Sequence, residues 1–268
     1  MNVASRPLVV FGGGTLGAAV ARLAASRGAA VTVASRTARE HAGWWRHHAI
    51  GGPEPLGWVP AEAGVVVAIG PGDHERGASV WGPALAGWLP RLRTLRPAAI
   101  VLVGPAGLGG GGLNEFEQSA RVARSLGAAV VRVPALLAAG SGWAGSLAAG
   151  LRSGVRPRVS TALPEARALV VEDAARAVLA ELGGEADVTV SGPQRLSAAA
   201  VVAALSARYG QEVRGRLLGS GLSRDTLSRL DAQASIEDLW EEARYGARTS
   251  LASWVERLPG PRRRRAEG

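Results

Sequence analysis

The sequence predicts an α/β fold: a doubly wound parallel sheet with helices on both faces, followed by a smaller C-terminal lobe over the substrate end. Three observations carry this expectation. Short unbroken apolar runs recur along the first half of the chain, helix-forming alanine-rich stretches separate them, and the first run passes directly into a glycine cluster that opens a helix. Unbroken apolar runs suit strands covered on both faces, as in parallel sheets.

The elements follow in order. Pro7 to Phe11 reads as the first strand, Ala18 to Ser26 as a helix closed by Arg27-Gly28, and Ala29 to Ala34 as the second strand. His41 to Pro60, rich in Trp, Gly and Pro, reads as a short helix and an irregular link. Val65-Val66-Val67-Ala68-Ile69 is a third strand that ends at Gly70-Pro71-Gly72. A helix over Val80 to Leu95, despite Pro83 and Pro90, leads to a fourth strand at Ala98 to Val103, which stops before Gly104-Pro105. After the glycine run that ends at Gly112, Asn114 is expected to cap a helix to about Leu126, with Glu117 completing a capping box. Gly127 ends that helix, and Ala128 to Pro134 is a fifth strand.

Beyond Ala135 the pattern loosens. Ala168 to Val171 is strand-like, Glu172-Asp173 opens a helix over Ala174 to Leu182, and Val188 to Pro193 is a strand and turn. Ser197 caps a helix to Tyr209, and Leu222 to Leu258 reads as two helical pieces in which Trp240 and Trp254 are packing residues. The expected division is a dinucleotide-binding Rossmann-like domain over 1–150, a smaller substrate-covering lobe over 151–260 and a disordered basic tail over 261–268.

Chemistry enters at Phe11-Gly12-Gly13-Gly14-Thr15-Leu16-Gly17, a Gly-x-Gly-x-x-Gly turn between strand and helix. Gly12 permits the sharp reversal, Gly14 lets a pyrophosphate approach the backbone, and Gly17 lets the helix pack closely on the strand. Amide groups at the helix start, reinforced by its dipole, favour an anion there. Gly12, Gly14, Thr15, Leu16 and Gly17 are therefore the first cofactor-binding candidates. About 20 positions on, where NAD sites carry a carboxylate for the ribose hydroxyls, the chain has Ser35-Arg36-Thr37, with Arg39 nearby. A guanidinium and two hydroxyls suit a 2′-phosphate, which a carboxylate would repel. The expected cofactor is NADP ahead of NAD. Ile69 and Gly70, at the carboxyl end of the third strand, complete the expected crevice, which Gly104 to Gly107 also approach.

Composition narrows the alternatives. The 268 residues contain no cysteine, which excludes disulfides and thiolate chemistry, and no lysine, so every basic side chain is arginine and Schiff-base catalysis is excluded. No run approaches membrane-spanning length and none reads as a signal peptide, so the expected location is the cytoplasm. The net charge of +9 falls to +6 without the tail, which holds four arginines and one glutamate. No zinc-finger spacing or arginine stripe with interleaved aromatics points to nucleic acid. His41, His47 and His48 lack a carboxylate at ligand spacing, so no metal is expected. Gly140-Ser141-Gly142 and Gly219-Ser220-Gly221 lack the setting of a hydrolase elbow.

The glycine turn, the pair Ser35-Arg36, Val130-Val131-Arg132-Val133-Pro134, the run Val170 to Ala177 and Ser191-Gly192-Pro193 together resemble the short-chain dehydrogenase/reductase superfamily, in its atypical, NmrA-like or sugar-epimerase-like branch. The resemblance implies a Tyr-x-x-x-Lys pair on the helix after the fourth strand and a Ser or Thr at that strand's end. Counting back from Glu117, the pair would fall near Gly109 and Leu113, and the only tyrosines are Tyr209 and Tyr245. The chain thus departs from the family at its proton-transfer residues. No catalytic residue is assigned; replacement candidates are His74, beside Asp73, and Asn114 and Glu117, beside Glu115.

The expected function is an NADP-dependent oxidoreductase acting on a small apolar or aromatic metabolite, with Trp44, Trp45, Trp81 and Trp143 as pocket walls. Two alternatives stand beside it: a non-catalytic NADP(H) sensor of NmrA type, and a redox-inactive isomerase or cyclase on the same fold. The expected partner is a small-molecule substrate rather than nucleic acid or membrane, and homodimerisation is left open.

Overall fold

Leu8–Phe11 (β1) is apolar and buried at all four positions, as a strand covered on both faces must be. In the computed structural model it lies inside a seven-stranded sheet ordered β3-β2-β1-β4-β5-β6-β9, built from β1, Val31–Ser35 (β2), Arg46–Ala49 (β3), Gly64–Val67 (β4), Ala99–Pro105 (β5), Ala129–Val133 (β6) and Asp187–Thr189 (β9). The structure describes residues 6–36, 43–50, 56–69, 88–92, 94–106, 112–139, 142–154, 166–190, 192, 195–196, 198–211 and 249–260. Every ladder in this sheet is parallel, with β1 in register to β2 through Phe11 and Ala34 and to β4 through Phe11 and Val67.

The helices follow from local chemistry. Thr15–Ser26 (α1) carries good helix formers. It ends where Gly28 takes φ +88°, so that Gly28 N–H reaches the Ala25 carbonyl and Ala29 N–H the Ala24 carbonyl. Its apolar side packs with Val171–Ala180 (α4) on one face of the sheet, against Val10, Val33, Val66, Val101 and Val131. The alternate residues Val9, Phe11, Val65, Val67, Leu102 and Val130 meet Trp88 and Leu89 on one side and Phe116 and Ala120 of Gly112–Ser125 (α2) on the other. This is the period-two division of a sheet buried on both faces.

A second core lies around a three-stranded sheet ordered β10-β8-β7, of Ala135–Leu137 (β7), Ala166–Val170 (β8) and Arg195–Leu196 (β10). Gly142–Arg152 (α3), Ala198–Tyr209 (α5) and Leu251–Arg257 (α6) pack on it through Leu147, Leu151, Leu205, Trp254 and Val255. Trp254 is thus a packing residue. The buried Asp173 in the first turn of α4 ties the layers together: one carboxylate oxygen accepts from Arg176 and the other from Thr249 N–H at 3.1 Å.

Three readings of the sequence are corrected. The sheet has seven strands rather than five, because β3 lies within the segment read as a helix and a link. Its residues Arg46, His47 and His48 form an edge strand with no apolar alternation, so the usual strand signal is missing. The strand near Val188, read as part of the second half, is β9 and extends the large sheet beside β6. The helix expected to start at Asn114 already includes Gly112, which places Asn114 inside α2 rather than at its cap. The two cores also interleave in sequence: α4 and β9 lie beyond 150 and join the large sheet, whereas α3 begins at 142 and joins the small core. Among the described residues no helix is long and apolar enough to cross a membrane.

Candidate functional site

The order of the large sheet reverses between β1 and β4, and such a switch point opens a crevice at the carboxyl ends of the strands. The glycine turn occupies that edge. Gly12 has φ +108°, and a Cβ there would overlap the Ala68 carbonyl and stand 3.2 Å from Ile69 N, so the turn lies directly against the end of β4. A Cβ on Gly17 would overlap the Gly12 carbonyl. Both positions are therefore closed to larger residues by the protein's own backbone.

Gly14 differs from both. It is the N-cap of α1, lies exposed, and has nothing within 4 Å of the position its Cβ would take. The space in front of it is open, while Leu16 and Gly17 behind it are buried and Thr15 is half-buried. The first turn of α1 contains no acidic residue. Open space, exposed backbone and the positive end of a helix dipole make a cradle that fits a diphosphate.

Gly13 brings β2 into the same place. A Cβ on Gly13 would stand 2.9 Å from Ser35 Oγ, so the serine hydroxyl lies directly beneath the turn. Ser35 Oγ is also 3.0 Å from Nε2 of His47 on β3. Arg36 follows at the exposed end of β2. The structure thus brings Gly12, Gly14, Thr15, Leu16, Gly17, Ser35, Arg36 and Ile69 to one edge; Thr37, Gly70 and His74 lie outside the described residues. The sequence weighs His47 only as a metal ligand, with His41 and His48; its contact with Ser35 joins two strands and has no signal in the sequence.

The carboxyl end of β5 is closely packed. At Gly104, near the end of β5, a Cβ would overlap the ring of Phe116, so a serine or threonine does not fit there. Arg132 of β6 lies over that ring at 5.4 Å and donates to both oxygens of Glu117, one at 3.1 Å, and to Asp187 at 2.9 and 3.1 Å. Burial opposes the charge of this guanidinium, but its hydrogen bonds to Asp187 and Glu117 outweigh that cost and raise its pKa above the ordinary value. The Glu117 carboxylate therefore serves an ion-pair network, not a capping box, and that engagement competes with a part in proton transfer. Asn114 lies in α2, its side chain outside the description. Trp44 is exposed, Trp45 packs against the large core, and Trp81 and the side chain of Trp143 are outside the description. Among the described residues no group of three potential metal ligands occurs.

No family model and no curated protein matches the sequence. Solved structures do. An epimerase, Mth375, from Methanothermobacter thermautotrophicus superposes with a TM-score of 0.75 at 12% identity over 96% of this chain and 92% of its own. The enzyme WbmF from Bordetella bronchiseptica, in complex with NAD+ and UDP, gives a TM-score of 0.73 at 13% identity over 96% and 92%. The chain shares its fold with these enzymes. A GalE-like L-threonine dehydrogenase from Cupriavidus necator, in its holo form, gives a TM-score of 0.71 at 14% identity over 93% and 97%. Neighbours of one fold thus include both epimerases and a dehydrogenase, and at this identity the likeness is one of architecture.

Proposed function

We propose that this chain binds a nicotinamide dinucleotide at the glycine turn, prefers NADP to NAD, and acts as an oxidoreductase of the atypical short-chain dehydrogenase/reductase type on a small metabolite. The open cradle at Gly14, between Gly12 and Gly17 that the backbone itself closes, is the observation that carries this reading. The cofactor would supply the hydride chemistry; the chain's own residues would hold its diphosphate at Gly12 to Gly17 and its adenosine end beside Ser35 and Arg36. The preference for NADP rests on Arg36 and on the absence of an acid at the end of β2. The structural likeness to an enzyme in complex with NAD+ and to a dehydrogenase in its holo form supports a dinucleotide of this kind.

A second reading is favoured by one specific observation. The chain has no lysine, and Phe116 fills the place a side chain would take at Gly104, which supports a reading in which the proton-transfer set of the resembled superfamily is not used. A protein that binds NADP(H) and signals its redox state through a partner needs the cradle alone. Following NADPH absorbance with a panel of ketones, enones and imines separates the readings: turnover supports the enzyme, whereas tight binding without turnover, with a partner captured only when NADPH is present, supports the sensor.

A further inference from the structure

The three-stranded sheet contains a pairing of like charges. In its antiparallel ladder Arg195 of β10 stands directly opposite Arg167 of β8, and Leu196 stands opposite Ala166. Residues so paired have Cβ atoms about 4.5–5.5 Å apart, and like charges at such positions repel. No residue of β7, β8 or β10 is acidic, so the strands themselves supply no counter-charge. Period two then fixes the face. Ala168, Val170 and Leu196 belong to the core built with α3, α5 and α6, whereas Leu169 and its β7 partner Leu136 pack with the large core, so positions 167 and 195 lie on the face opposite those helices. Register fixes the height. Ala168 pairs with Ala135 of β7, which makes Arg167 level with Pro134, the single residue between β6 and β7. There β6 ends at Val133, beside Pro105 at the end of β5. The two arginines are thus placed where the small sheet leaves the carboxyl edge of the large one, the edge at which doubly wound sheets take their ligands.

We infer that Arg167 and Arg195 form an oxyanion site, and that the small metabolite proposed above therefore carries a carboxylate or phosphate group; this rests on the chain taking such a metabolite at all. A guanidinium presents a planar fork that matches either oxyanion in bidentate fashion. Two forks brought to one place by an antiparallel ladder can hold separate oxygens of one group, and the negative charge of the ligand turns their repulsion into attraction on both sides. The cofactor's diphosphate does not serve here. In the sheet order β4 and β5 stand between β1, which feeds the glycine cradle, and β6, which ends beside Arg167. Three strand spacings amount to about 14 Å, so the arginine pair and the cradle are separate anion sites on one edge.

The test uses the full chain with NADPH present to fill the cradle. Inorganic pyrophosphate and succinate are titrated by calorimetry at constant ionic strength, so that screening is not read as binding. Saturable binding is expected for at least one of the two anions; pyrophosphate marks a phosphoryl group and succinate a carboxyl group. Arg167→Gln and Arg195→Gln are each expected to weaken it at least about tenfold, and Arg195→Lys, which keeps the charge without the fork, to lose less. Without anion, the glutamine variants are expected to melt at or above the temperature of the unaltered chain, because each removes a repulsion. A lower melting temperature in both would overturn the inference, since the arginines would then serve an acidic partner within the protein, such as Glu165 next to β8. Absence of saturable anion binding, or binding that neither glutamine variant weakens, would overturn it as well. If the unaltered chain binds no NADPH, the cofactor reading fails, and the anion titrations of the unfilled chain and of Gly14→Ala decide the arginine site on their own.

Discussion

Gly14 and Gly17 are both glycines in a single motif, yet their surroundings differ, and the difference is testable. Gly14→Ala adds a methyl to open space at a helix cap and is expected to change stability by no more than about 1 kcal/mol, while lowering dinucleotide affinity by obstructing the cradle. Gly17→Ala drives a methyl into the Gly12 carbonyl and is expected to cost about 1–3 kcal/mol, read as a lower midpoint in urea, with or without cofactor. If the two variants behave alike, the space before Gly14 has no ligand role. At Arg36, reversal of charge by Arg36→Asp is expected to weaken NADPH at least about tenfold and to spare or improve NADH, measured by calorimetry. The tight positions Gly12 and Gly17 were legible because their task is backbone geometry, which sequence spacing reports directly. The contact between Ser35 and His47 was not, since it joins strands whose pairing only the folded sheet reveals.

Among the elements, β1, β4 and Ala99 to Val103 of β5 announced themselves as unbroken apolar runs because both their faces are covered, and β2 and β6 as largely apolar runs interrupted by Thr32 and Arg132. β3 did not, for its polar side chains lie at the sheet edge. Two polar contacts tie elements together: the Arg132 ion-pair network and the hydrogen bond that the Asp173 carboxylate accepts from Thr249 N–H. Arg132 couples β6 to α2 and β9, and Arg132→Met should leave Glu117 and Asp187 without their shared donor, costing about 2 kcal/mol in chemical denaturation. Because the Arg132 pKa is raised, its contribution is fully present below the ordinary guanidinium value and would be lost only as pH rises through the higher folded value, so mild alkali should leave this cluster intact. Asp173 secures α4 to the chain entering α6. Asp173→Ala is expected to cost about 2–3 kcal/mol and to raise amide exchange at Thr249 and along α6 before the large sheet is affected. A uniform rise across all elements would contradict that division.

At the scale of the whole molecule, the doubly wound sheet and a smaller lobe after it were legible from the alternation of runs and helices, but which segments build the smaller core was not, because its elements come from either side of α4 and β9. The strand order reverses between β1 and β4, the position at which doubly wound sheets take their ligands, and the glycine turn lies at that carboxyl edge. Substrate chemistry was not legible because the sequence holds no lysine and neither of its tyrosines, Tyr209 and Tyr245, lies in α2, while Phe116 closes the space over Gly104 and Arg132 engages the Glu117 carboxylate. The central claim is that this turn holds a dinucleotide diphosphate. Isothermal titration of the purified chain with NADPH tests it most directly: saturable one-to-one binding that Gly14→Ala weakens is the predicted result, and no heat with NADPH, NADP+, NADH or NAD+ at millimolar concentration would contradict it.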